Sequence, residues 1–190
     1  MYLTGWLIAL AILLFWAVGA YNRLVRMRSA AIQAFGALDA ELLRRTALLG
    51  EYDAVVSGPR LPQDAQMHDA LRASGTQYAA SLAVLRAHPL DVNAATALKA
   101  AAKVLEAAWN ALVQASQQPP AGEQDSEDKR IQPSTEALAS LIERCEMQHT
   151  QIDHSTRQFN KAVELYNRAV TQFPASMLAS VFGFKPAHML

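Results

Sequence analysis

Only one cysteine, Cys145, occurs in the chain, so no internal disulfide can form and the redox compartment is left open. A surplus of charge is missing as well. The formal net charge is zero, with six Lys/Arg against four Asp/Glu over residues 23–60 and seven against nine over residues 121–190. No basic stripe with interleaved aromatics follows from such a distribution, which argues against a nucleic acid partner. Strand-type alternation is absent, and so is any repeat longer than a heptad. The chain has no Gly-rich phosphate loop, no Gly-x-Ser-x-Gly elbow and no His-Glu-x-x-His helix. No enzyme activity and no cofactor is therefore expected.

What the sequence does have is an apolar run, Leu3–Ala20, in which none of the eighteen residues is charged. As a helix it would be roughly 27 Å long, enough for a bilayer core with its flanks at the interfaces. Trp6, Trp16 and Tyr21 fall where amphipathic rings favour the headgroup layers. A cleaved signal peptide is the alternative, since Val18-Gly19-Ala20 offers small residues. The charged segment that precedes such a peptide's apolar stretch is missing, and the run passes directly into helix-compatible sequence, so a retained anchor is expected. Arg23, Arg26 and Arg28 follow the run at once. The positive-inside rule then puts the N-terminus outside and the bulk of the chain in the cytoplasm. The same arginines are suited to anionic headgroups.

Beyond the run the spacing predicts four long helices. Ala31, Phe35, Leu38, Leu42, Leu49, Tyr52 and Val56 make one stripe, interrupted at Arg45. Met67, Leu71, Tyr78, Leu82 and Leu85 make a second, and Ala95, Leu98, Ala102, Leu105, Trp109 and Leu112 a third. The fourth is Ile142, Cys145, Ile152, Phe159, Val163, Tyr166, Val170 and Phe173. Each repeats at the 3.5–3.6 residues of a helix that buries one face, in the manner of a coiled-coil seam. Breaks are expected at Ser57–Pro62, at His88–Asp91 with Asp91 as an N-cap, in the polar stretch Gln117–Lys129, and at Pro174.

These signals predict an all-α protein: an anchor over residues 1–22, an antiparallel up-and-down four-helix bundle over 23–174, and an apolar tail over 175–190. The first and fourth helices outlast the second and third. They should therefore form a thinner stalk beside the bilayer, where the tail arrives. The tail carries Met177, Leu178, Val181, Phe182, Phe184, Met189 and Leu190 against one charged side chain, Lys185, apart from His188. It reads either as an interfacial segment or as a cap in the groove between helices one and four. Pro174, Gly183 and Pro186 interrupt any continuous amphipathic helix, which favours packing.

Two segments echo one another: Tyr21-Asn22-Arg23-Leu24-Val25 and Tyr166-Asn167-Arg168-Ala169-Val170. Spacing alone favours ordinary packing, with Tyr as a core residue and Asn at a helix contact. The functional alternative is a docking site for a partner or for the tail. Cys145, His149 and Asp153 share one face of the fourth helix, but two of them sit on the expected buried stripe and no fourth ligand is in view, so no metal site is expected.

The stretch Gln158–Pro186 resembles the C-terminal signature of LemA proteins at Phe159, Asn160, Val163, Tyr166, Asn167, Phe173, Pro174, Phe182, Gly183 and Phe184. Tyr21–Arg45 is similar to the family's opening at Tyr21, Asn22, Leu24, Val25, Arg28, Asp39, Leu42, Arg44 and Arg45. The resemblance runs end to end with a weak middle. It departs after Arg45, where the family continues with an acidic residue, a proline and an asparagine and this chain has Ala47, Gly50 and Glu51. It implies a bacterial inner-membrane or envelope protein, N-terminus outside, without catalytic residues, acting as a scaffold or adaptor for a membrane or envelope protein. A second copy of the chain is the other partner to consider. Tyr21, Asn22, Arg23, Asn160, Tyr166, Asn167 and Arg168 are the candidate recognition residues. A ligand-sensing bundle that signals through its stalk is the second functional reading.

Overall fold

Leu24, Ala31, Phe35, Leu38, Leu42 and Tyr52 are all buried, and their spacings of three, four, seven and ten residues hold them on one face of one helix. That helix, α1, runs without a break over Tyr2–Val55. The computed structural model describes residues 2–55, 62–117 and 133–190. Further helices are α2 (Pro62–Ala87), α3 (Val92–Gln117), α4 (Pro133–Thr171) and a short α5 (Ala175–Val181); no strand occurs among the described residues. Val56, most of the Ser57–Pro62 break and the Pro119-Pro120 stretch lie outside those residues.

Register fixes the topology. Along α1 the partners on α4 run backwards: the Gln148 side-chain amide donates to the Glu41 carboxylate at 2.8 Å, and Arg144 pairs with Glu51 at 2.7 Å. Phe35 meets Phe159 edge-on at 5.9 Å. Helix α2 is antiparallel to α1 as well. Arg86 pairs with Asp39 at 3.1 Å, Arg45 lies 6.0 Å over the Tyr78 ring, and Tyr52 stacks on His68 at 5.4 Å. The Tyr52 ring also meets Trp109 of α3 edge-on at 5.5 Å, so α1 touches every other long helix. The closest packed pairs are α1 with α4 and α2 with α3. This is the expected antiparallel bundle.

The α2–α3 turn follows from its residues. Pro89 ends α2, and the Asp91 carboxylate accepts the Ala94 N–H at 2.8 Å, satisfying one of the free donors at the start of α3. The stripes need three corrections. Leu141, not Ile142, is in the core, because eleven residues separate it from Ile152 and eleven steps of 100° return to nearly the same face. Ala101 is buried and Ala102 only half-buried. Phe173 is 76% exposed, because α4 has ended at Thr171 before the stripe reaches it.

The core holds one polar compromise. The Tyr78 hydroxyl and one Asp39 carboxylate oxygen are buried without a hydrogen-bond partner among the described residues. Burial pushes the Tyr78 hydroxyl up to about 12, with Arg45 pulling it down and Asp39 pushing it further up. Removing a buried hydroxyl that has no protein partner gives up little. Tyr78→Phe is expected to leave the melting temperature unchanged or raise it, by up to about 1 kcal/mol of stability. A thermal melt showing a loss larger than that of Tyr166→Phe, whose hydroxyl is bonded, would contradict this account.

Candidate functional site

Asn160 and Asn167 are seven residues apart on α4, so they share a face and stand about 10.5 Å from one another along the axis. Three extended residues span about 10 Å. The C-terminal segment uses that match. Asn167 donates to the Ala187 carbonyl and accepts from the Ala187 N–H, both at 2.8 Å. Asn160 donates to the Leu190 carbonyl at 2.6 Å and accepts from the Leu190 N–H at 2.8 Å. Each amide thus reads a main-chain N–H and C=O pair as a neighbouring strand would. The Tyr166 hydroxyl donates to the Lys185 carbonyl at 2.9 Å. Burial raises the Tyr166 pKa, with Arg28 opposing.

The segment reaches α4 because the chain reverses after α5. Gly183 has φ +71°, a left-handed conformation that a side chain disfavours. It lets the Phe184 N–H bond the Ala179 carbonyl at 2.9 Å, a Schellman-type helix end. Residues 184–190 then run back along α4, away from the apolar end of α1, with Ala187 buried and Phe184 and Leu190 half-buried against the core. Phe184 and Lys185 border the α2–α3 turn, sharing a depression with Arg28, Ile32, Pro89 and Leu90. The tail therefore closes the end of the bundle where α2 and α3 stop. Helices α1 and α4 continue past it, as the expected stalk.

Tyr21 belongs to the same construction. Its ring lies 4.9 Å from Phe182 and 6.0 Å from Phe184. The two echoing segments consequently meet at one level, with Leu24 and Ala169 bordering the same depression, but their roles are unequal. Tyr166 and Asn167 bind the tail's main chain, Tyr21 packs on its rings, and Asn22 is exposed. Arg23 is exposed beside that depression, and Arg168 is exposed and paired with Glu164. Asn160, Tyr166, Asn167 and Tyr21 are thus brought together around the tail, while Asn22, Arg23 and Arg168 line the outside. Sequence reasoning left unassigned the other half of the contact, the main chain of Lys185, Ala187 and Leu190. Main-chain groups carry no residue signature; the seven-residue Asn spacing was the available signal.

Among the described residues no three His, Cys, Asp or Glu side chains converge as a metal-ligand set. His149, placed on the buried stripe by its spacing, is exposed, with Nε2 3.9 Å from Asp153. Four steps from half-buried Cys145 carry it about 40° around the helix, onto the solvent edge. Burial pushes the Cys145 thiol up, against Arg45 and Arg144. A cavity of about 260 Å³ lies between α1, α3 and α4, bordered by Arg45, Leu49, Leu105, Trp109, Cys145 and His149.

The N-terminal part of α1 makes no core. Its apolar window, long enough to cross a membrane, is entirely unburied. Trp6 and Phe15 are about four-fifths exposed, and Trp16 is partly covered where the tail begins. Keeping the ten large apolar side chains exposed between Trp6 and Val18 in water would cost roughly 15–30 kcal/mol. Arg26 and Arg28, like Arg23, are exposed just beyond it.

A helical bundle carried on a helix long and apolar enough to cross a membrane, and closed by its own C-terminal segment, is the class of protein these features define. The chain belongs to the LemA family, whose family model matches residues 76–190. That match takes in α3, α4 and the tail contact, and leaves the resemblance at Tyr21–Arg45 outside it. No curated protein and no solved structure matches the chain.

Proposed function

We propose that this protein is a non-enzymatic scaffold or adaptor of the bacterial inner membrane, with α1 crossing the bilayer, its N-terminus outside and the bundle in the cytoplasm. The observation that carries the reading is the continuity of α1 from its apolar window into the core, with the tail locked against α1 and α4. A surface fixed in this way beside the bilayer suits recognition of a membrane or envelope protein. Asn22, Arg23 and Arg168 are its exposed polar groups. Asn160, Tyr166 and Asn167 serve it indirectly, by holding the tail that shapes it. Arg23, Arg26 and Arg28, exposed on the bundle side of the apolar run, support the orientation.

The test is photo-crosslinking from position 22 in native membranes. A discrete product with another membrane protein is the expected result, and a self-product would replace the adaptor by a homo-oligomeric scaffold. Silence at positions 22, 23 and 168, with an active crosslinker, would defeat the recognition role. Orientation is read separately: digestion of the bundle by protease added outside intact spheroplasts would reverse it. The cavity between α1, α3 and α4 favours the second reading, a ligand-sensing bundle. A melting temperature raised by a small molecule, and lost with Trp109→Ala, would support that reading instead.

A further inference from the structure

The tail divides into two parts with opposite surfaces. Residues 184–190 are strapped onto α4, whereas the segment before them shows its apolar side chains outward. Phe173, Met177 and Val181, spaced at four residues, are 76%, 65% and 78% exposed, and Phe182 is 55% exposed. The opposite side of α5 is anchored, with Ala179 buried. No charged side chain occurs from Ala169 to Phe184, and basic residues, Arg168 and Lys185, bracket the stretch. Such a short apolar face with basic ends has the composition of an interfacial segment.

Its position names what covers it. Phe173, Pro174 and Ala175 border the same depression as Trp16, Gly19, Ala20 and Arg23. Trp16 lies one helical turn, about 6 Å, inside the end of the apolar run at Ala20. The ring of Tyr21, the first residue beyond that run, packs on Phe182. The turn from α4 into α5 therefore stands at the depth where α1 passes from hydrocarbon to headgroups. We infer that α5, with Phe173 and Phe182, enters the headgroup–acyl boundary of the same bilayer that α1 crosses, as a second membrane contact. The first anchor sets the height of this segment, so lipid is present at the patch without any encounter step. This rests on the anchor reading of α1.

The experiment uses the full chain with Cys145→Ser and one new cysteine, Met177→Cys, carrying an environment-sensitive fluorophore. It is reconstituted into phosphatidylcholine–phosphatidylglycerol vesicles with a nitroxide either near the headgroup or near the bilayer centre. Emission from position 177 is expected to fall about twofold with the shallow nitroxide and less with the deep one. Val181→Cys should repeat the pattern, which guards against a single disruptive label. Ile12→Cys in the apolar run and Lys161→Cys on the exposed side of α4 are the references. If position 12 is quenched while 177 and 181 behave like 161, the second contact is refuted and the anchor stands. Blue-shifted emission at 177 that neither nitroxide quenches would mean that protein covers the patch, and would also refute it. Failure of quenching at position 12 would remove the anchor and the inference together.

Discussion

Replacing Asn160 and Asn167 together by alanine is expected to free the C-terminal segment and lower the unfolding free energy by about 2–5 kcal/mol. Both asparagines bond a main-chain N–H and carbonyl, so each substitution strips two hydrogen bonds at once. The two losses are unequal. Ala187 is buried, so its main-chain groups cannot be rehydrated without opening the segment, whereas Leu190 is only half-buried. Asn167→Ala should therefore cost more than Asn160→Ala. Asn167→Asp keeps an acceptor for the Ala187 N–H but sets a carboxylate oxygen against the Ala187 carbonyl, so it should cost at least as much as Asn167→Ala. Urea unfolding in lipid nanodiscs gives the energies, and hydrogen exchange at residues 184–190 shows where they act. Protection of those amides at the parent level in the double variant would mean that the asparagines do not hold the segment.

Phe159→Ala is expected to cost about 3–5 kcal/mol, the range for removing a fully buried aromatic side chain. Phe159 is 1% exposed and meets Phe35 edge-on in the seam between α1 and α4, the most extensive helix contact. The seam joins the helix that carries the apolar run to the one that carries the tail, so a cavity there loosens both. Phe173→Ala, by contrast, removes an exposed ring and should stay within about 0.5 kcal/mol in detergent. The double substitution Phe35→Ala with Phe159→Ala should fall short of additivity by about 0.5–1.5 kcal/mol, the worth of an aromatic pair. A Phe159→Ala loss below that of an exposed substitution would show that the seam is not packed.

The helices were readable in the sequence because each is written many times over: a stripe, a capping aspartate, a proline at a turn. One misplaced residue, Ile142 for Leu141, does not disturb a pattern that long. Phe173 was misread because periodicity states which face a residue takes only while the helix lasts. The candidate site was legible by half. Tyr166 and Asn167 stood out through their echo in Tyr21 and Asn22, yet the echo does not say that one pair binds main chain and the other packs rings or faces outward. That assignment depends on where a reversal at Gly183 delivers residues 184–190, a matter of three-dimensional path. The same path explains why packing and interfacial readings of the tail competed. The strapped part and the exposed part are adjacent in sequence and both largely apolar.

Because no break separates the apolar run from the core, α1 would act, if it crosses the bilayer as proposed, as a lever whose fulcrum is the membrane surface. From Ala20 to Val55 it extends about 52 Å. A change in tilt of about 10°, well within the range by which membrane helices adjust to bilayer thickness, would sweep its far end sideways by about 9 Å. Asn22 and Arg23, next to the fulcrum, would scarcely move. A partner held at the base would keep its grip while the distal end of the bundle swung, so the thickness of the surrounding lipid would set how far the protein leans.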